Sequence, residues 1–290
     1  MMLNARMRQL AQDAVRRALI EDRARQDITT DLLIGPSDRA EGDILVKEDA
    51  VICGIEIVAM VFKRLDSRLV FRAFCRDGQG VKRDTVIASV KGKTRAILSG
   101  ERVALNFLGY LSGVATNVQR YAQAIRPYKA RILDTRKTTP GLRDLEKYAV
   151  RCGGAYNHRR DLSGMVLVKD NHRLAGASKR SITEAIAYLK GKTVKPIEVE
   201  VDDLKQFAQA LSAGPDMILL DNMSTADMAQ AVKTVKSLKP RARPLLEASG
   251  GITIKNVRAV ARSGVDRISI GSLTHSHRSV DVSLDLKECL

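Results

Sequence analysis

From about residue 130 onward, short apolar runs alternate with amphipathic stretches. ILDT (132–135), MVLVKD (165–170), PIEVEV (196–201), DMILLD (216–221), PLLEAS (244–249) and DRISIG (266–271) have the length and β-branched content of buried strands. Between them, ITEAIAYLK, LKQFAQALS, TADMAQAVKTVKSL and IKNVRAVARSG carry apolar residues at helical spacing. Apolar strands separated by amphipathic helices predict a parallel sheet covered by helices. Six strands rather than eight predict an incomplete α/β barrel, with a doubly wound open sheet as the alternative.

The first third follows another pattern. Residues 5–20 have helical spacing, and DITTDLL offers Asp27 with Thr29 or Thr30 as turn or cap residues. DILVK, VICG, LVFRAFC and VIASVKG read as short strands between turns, and EIVAMVFKRL (56–65) reads as a helix, which together predict an N-terminal α+β sandwich domain. A helix beginning near Ser99, with Val103, Leu105, Phe107 and Leu108 on its apolar side, is expected to break at Ser112-Gly113. The expected division is therefore 1–114 for the first domain and 115–275 for the barrel, with the tail 276–290 packing back on the first domain.

Composition narrows the classes. A chain of 290 residues with 44% hydrophobic content can bury a full core. The formal net charge of +16 raises nucleic acid as a partner, but opposite charges interrupt the basic clusters. With 4% aromatics and no Trp there is little to stack on bases, so no nucleic-acid role is expected. Cys53, Cys75, Cys152 and Cys289 show no C-x-x-C spacing, which fits a reducing, cytoplasmic setting. VICGIEIVAMVF (51–62) is too short to span a bilayer and is interrupted by Glu56, so no membrane role is expected. The Arg-rich start carries Asp13, Glu21 and Asp22, unlike a transit peptide, and reads as a first domain helix.

Candidate chemistry gathers at strand ends. Residues 131–173 hold ten Lys or Arg against five Asp or Glu. Arg136 and Lys137 follow one strand and Lys169 ends another, which points to an anionic substrate at the end of a barrel where catalysis takes place. Glu198, Glu200 and Asp221 lie on strands, with Glu198 and Glu200 on one face. Glu198 and Asp221 are expected either to hold Mg²⁺ or to join Lys137 and Lys169 in an ion network without metal. Small-residue turns after the last two strands, Ser249-Gly250-Gly251 and Gly271-Ser272, offer backbone N–H groups to a phosphate. No histidine pair has convincing zinc spacing; His275 and His277 alone are weak evidence.

DTRKTTPGLRDLEKYAVRCGGAYNHRRDLSGMVLVKDNH (134–172), with IEVEV, ILLDNM, EASGGIT and SIGSLTHS downstream and EDRARQDITTDLL and SGERVALNFLGYLSGVAT upstream, resembles the quinolinate phosphoribosyltransferase family over nearly the full chain. The resemblance implies transfer of phosphoribosyl from phosphoribosyl pyrophosphate to quinolinate with decarboxylation, assisted by Mg²⁺ and needing no organic cofactor. It implies that Thr135, Arg136, His158 and Arg159 bind substrate, the last three holding the pyridine dicarboxylate. Lys137 and Lys169 would lie where the substrate carboxylate and pyrophosphate meet, with Glu198 or Asp221 stabilising the reacting ribose. Ser249, Gly250, Gly251, Gly271 and Ser272 would hold the 5-phosphate. Arg102 would enter the site of a neighbouring subunit, making the unit a homodimer with shared active sites. Gly109-Tyr110 departs from the family, which more often has Gln and a basic residue there. A molybdenum-transport-associated relative is the alternative within the class; the arginines of NHRRD argue against it. Outside the class, the alternative is a basic nucleic-acid-binding protein.

Overall fold

A computed structural model describes residues 2–175, 180–240 and 243–287; Cys289 lies outside them. The chain begins with α1 (Ala5–Glu21), α2 (Ile28–Leu33), β1 (Arg39–Val46), β2 (Ala50–Val51), α3 (Ile55–Leu65), β3 (Val70–Ala73), β4 (Gly80–Val81), β5 (Val86–Lys93) and α4 (Thr94–Ala124). β6 (Arg131–Leu133), α5 (Arg143–Cys152), β7 (Val166–Val168), α6 (Asp170–Leu174), α7 (Ile182–Lys190), β8 (Ile197–Val201), α8 (Leu204–Ala213) and β9 (Met217–Asp221) follow. The last elements are α9 (Thr225–Ser237), β10 (Leu245–Ser249), α10 (Val257–Arg262), β11 (Arg267–Ser269), α11 (Ser272–His275) and β12 (Val282–Leu286).

One compact unit comprises residues 1–119, 138–154 and 273–290. Its main sheet has the order β12-β1-β5-β3 and is antiparallel throughout. Ile44 and Val46 alternate inward along β1, and Ile57, Val58, Val61 and Phe62 of α3 are buried in the same unit. DITTDLL is not a turn: the Asp27 carboxylate accepts the Thr30 amide at 3.1 Å and caps α2.

Helix α4 runs from Thr94 to Ala124 without the break expected at Ser112-Gly113. Ser112 is buried, and its hydroxyl accepts the Cys53 amide at 3.0 Å. A Cβ at Gly113 would lie 2.3 Å from the Arg278 carbonyl, and one at Gly109 would lie 2.7 Å from that of Val280. These glycines let the 278–280 segment approach the helix; they do not interrupt it. Gly113→Ala is therefore expected to destabilise the protein by about 1–3 kcal/mol through overpacking. An unchanged urea midpoint would contradict this. Tyr110 also serves packing: its hydroxyl meets Thr139 at 2.6 Å and donates to Glu146, while its ring stands edge-on to His277.

The second unit comprises residues 120–137 and 155–272. Its six strands are parallel in the order β6-β11-β10-β9-β8-β7, forming an incomplete α/β barrel with β6 and β7 as the edges. Ile132, Val168, Val199, Ile218, Leu246 and Ile268 are buried on successive strands. Ser181, Asp203 and Ser224 cap α7, α8 and α9, giving each helix a defined start after its strand or loop.

Candidate active site

The site in the second unit is built around Asp134, one residue beyond β6. Asp134 is fully buried, and its carboxylate accepts Asn157 Nδ2 at 2.6 Å and the His158 amide at 2.8 Å. Its own amide donates to the Tyr156 carbonyl at 3.2 Å. The Tyr156–His158 segment is thereby tied to the C-terminal end of β6. Just beyond, the Lys137 amide donates to Thr135 Oγ1 at 3.1 Å, turning the chain after Arg136.

Arg159 is anchored through Nη1 to the Met165 carbonyl at 3.1 Å. Its pKa is pushed down by burial and then by the charge of Arg136. Two guanidinium groups therefore share a part-buried region, an arrangement that a bound carboxylate relieves.

His158 Nε2 lies 3.2 Å from Glu198 and 3.3 Å from Glu247, both fully buried, and Glu247 is 3.8 Å from Arg267 Nη1. Burial pushes the imidazole down, but hydrogen bonds and charges from the two carboxylates raise it to about 9. Burial raises Glu198 in turn, against the opposing pull of His158. The Arg159 amide points at His158 Nδ1 from 2.7 Å, which requires a ring lone pair there. A neutral ring beside a protonated Glu198 carries as many protons as an imidazolium beside two carboxylates, and the amide favours the first arrangement. The three donor groups lie within 4.8 Å of one another, with Nε2 facing the two carboxylates.

A pH dependence of stability follows. The His158–Glu198 pair shares one proton, lost near 9 in the folded protein and near the ordinary imidazole value of 6.5 in the unfolded chain, so the stabilisation is fully present below about pH 6.5 and is lost as pH rises through about 9. Urea midpoints should fall across that window, and His158→Asn should flatten the fall. An equally steep fall in the variant would contradict the assignment.

Strand register corrects the carboxylate pair. Glu198 stands opposite Met217, so Asp221 lies four positions farther along β9, about 13 Å at strand spacing. Glu198 and Asp221 therefore do not fit one shared cation, and Glu198 is already engaged with His158. Glu200 stands opposite Leu219, only about 7 Å along the strand from Asp221, and it accepts a hydrogen bond from Lys169 Nζ. The ion network expected for Lys169 thus forms with Glu200. Asp221 accepts Asn222 Nδ2 at 2.7 Å and pairs in register with Ser249.

Ser249, Gly250 and Gly251 end β10. Gly250 has φ 84°, and a Cβ there would fall 2.2 Å from Asn222 Oδ1. Asn222, itself at φ 53°, donates its amide to the Ser249 carbonyl at 2.9 Å, so the turns after β9 and β10 interlock. Gly271 and Ser272 follow β11 and start α11. Every candidate residue of this unit except the deeply placed Glu198 lies near strand C-terminal ends, the catalytic end of such barrels. Arg102 belongs to the first unit, exposed on α4. No motif or spacing in the sequence marks Asp134 or Glu247 for these roles, and Glu200 is distinguished there only by sharing a face with Glu198.

The family signature described as "Quinolinate phosphoribosyl transferase, N-terminal domain" matches residues 27–112, and that of the C-terminal domain matches 114–285. A probable nicotinate-nucleotide pyrophosphorylase [carboxylating] of Synechocystis is 43% identical over 92% of this chain and 90% of that protein. The corresponding Mycobacterium leprae protein is 38% identical over 95% of this chain and 97% of that protein. The structure of the nicotinate-nucleotide pyrophosphorylase from Francisella tularensis superposes with a TM-score of 0.88 at 36% identity, covering 96% of both chains. With both signatures matched and similarity spanning both units, the chain belongs to the quinolinate phosphoribosyltransferase family.

Proposed function

We propose that the protein transfers the phosphoribosyl group of phosphoribosyl pyrophosphate to the nitrogen of quinolinate, releasing pyrophosphate and CO₂ and forming nicotinate mononucleotide, a step of NAD biosynthesis. The observation that carries this reading is that the charges of Arg136 and Arg159 act on each other next to His158, whose segment Asp134 ties to the β6 end. Such a pocket suits a planar dicarboxylate, because each guanidinium offers a two-pronged donor.

As the bond from the anomeric carbon to pyrophosphate breaks, positive charge develops on the ribose. Glu200 and Asp221 are the carboxylates best placed to face it, while Lys137 and Lys169 neutralise the departing phosphates. The pyridine nitrogen attacks the anomeric carbon, and the resulting pyridinium accepts the electrons released when CO₂ leaves the adjacent carbon, which then takes a proton. Positioning and charge relief suffice for that last step. Magnesium would supply neutralisation of the leaving pyrophosphate, with Glu200 and Asp221 as its oxygen donors. Thr135 and the turns at Ser249–Gly251 and Gly271-Ser272 fit substrate and 5-phosphate contacts.

The working unit is a homodimer in which Arg102 completes the partner's site. No helix among the described residues is long and apolar enough to cross a membrane. The thiols of Cys53, Cys75 and Cys152 are free, which fits a cytoplasmic enzyme.

The test is release of CO₂ from carboxyl-labelled quinolinate. Release should require both quinolinate and phosphoribosyl pyrophosphate, and release from quinolinate alone would refute the reaction. Excess chelator should abolish turnover while leaving thermal unfolding unchanged; full activity in chelator would remove magnesium from the scheme.

A further inference from the structure

The first unit contains a cavity of about 580 Å³ lined by Arg16 of α1, Arg23 and Arg25 of the α1–α2 connection, and Arg64 of α3, with Ile20 and Leu65 on its apolar wall. No carboxylate is among its lining residues; Glu21 and Asp22, between Ile20 and Arg23 in sequence, are exposed. Nearby arginines have acidic partners: Arg8 pairs with Glu56, Arg68 with Asp66, and Arg95 with Asp31. The four lining arginines make no ion pair among the described residues. Arg25 is held in place by donating to the Arg64 carbonyl at 3.0 Å. A second cavity of about 400 Å³ shares Arg16 and Arg64 and adds Lys63, with Asp13 as its single acid.

Arg23 is the one of the four with a left-handed backbone. It sits at φ 49°, in a turn closed by the Ala24 amide on the Leu19 carbonyl and the Gln26 amide on the Arg23 carbonyl. Glycine is the favoured residue in that left-handed conformation after a helix, so an arginine there is held at a conformational cost. A strained residue whose charged end lines an acid-free cavity points to a ligand.

We propose that this cavity binds a phosphate-chain anion of the tripolyphosphate or nucleoside triphosphate class. Guanidinium forks match phosphate oxygens two at a time, and four of them around one cavity repel each other until an anion enters. The volume lies within the usual range for small-molecule sites, and Ile20 with Leu65 gives a nucleoside an apolar surface. The assignment does not depend on the reaction proposed above.

Calorimetry on the full chain at low salt tests it, with tripolyphosphate and adenosine triphosphate as probes. The double variant Arg16→Gln, Arg64→Gln is expected to bind one fewer tripolyphosphate per chain, or to bind at that site at least tenfold more weakly, with turnover and circular dichroism unchanged. Identical stoichiometry and affinity in wild type and variant would overturn the site. Arg23→Gly is expected to raise the melting temperature without ligand and to weaken binding at least threefold. A higher melting temperature with undiminished binding would overturn the role of Arg23. Tighter binding of adenosine triphosphate than of tripolyphosphate assigns the apolar wall to a base, and equal binding assigns the site to the phosphate chain alone.

Discussion

Replacing Arg136 by lysine is expected to lower kcat/KM for quinolinate by roughly 10- to 150-fold, the equivalent of about 1.5–3 kcal/mol for a charge-assisted hydrogen bond. Lysine keeps the charge and loses the fork, so the effect isolates paired donation to a carboxylate from simple attraction. Arg159→Lys should behave similarly, because the two guanidinium charges act on each other within one part-buried region. Binding of phosphoribosyl pyrophosphate should be unaffected in both variants, measured by calorimetry without quinolinate. Unchanged quinolinate kinetics in Arg136→Lys would remove that residue from dicarboxylate recognition.

Arg102→Ala and Lys137→Ala, each inactive alone, are expected to regain about a quarter of wild-type activity when unfolded and refolded together in equal amounts. Random pairing makes half of the dimers mixed, and each mixed dimer has one site carrying both lesions and one carrying neither. The expectation rests on Arg102 acting across subunits; it stands exposed on α4. If Arg102 served its own chain, every site would keep a lesion. Mixed dimers that form and remain inactive would exclude the shared site.

The barrel strands are legible in sequence because burial on both faces leaves nearly continuous apolar runs, as in MILLD of β9, where only Asp221 is not buried. Helix α5 is hidden for the opposite reason. Glu146 and Lys147 are buried beside Leu145, Tyr148 and Ala149, so charged residues occupy core positions and blur the helical period. A glycine pair four residues apart in α4 has two readings, break or close approach, and only the 278–280 segment against it decides. In the site, alternation along β8 places Glu198 and Glu200 on one face without saying which lies deeper; depth comes from register with β9. Asp134 and Glu247 are single carboxylates in apolar strands, and their partners Asn157 and His158 come from a distant loop. No local spacing announces such contacts.

The sheet of the first unit joins residues from far apart: Gly42 pairs with Leu286 and Val46 with Val282. During synthesis β1 therefore waits, with one edge open, until almost all of the barrel sequence has left the ribosome. The barrel's own residues, apart from the 138–154 excursion, emerge as one run and can collapse earlier. The last strand of the first unit's sheet is thus added after the barrel sequence is made, and a nascent chain stalled before residue 282 exposes a β1 edge able to pair with another stalled copy.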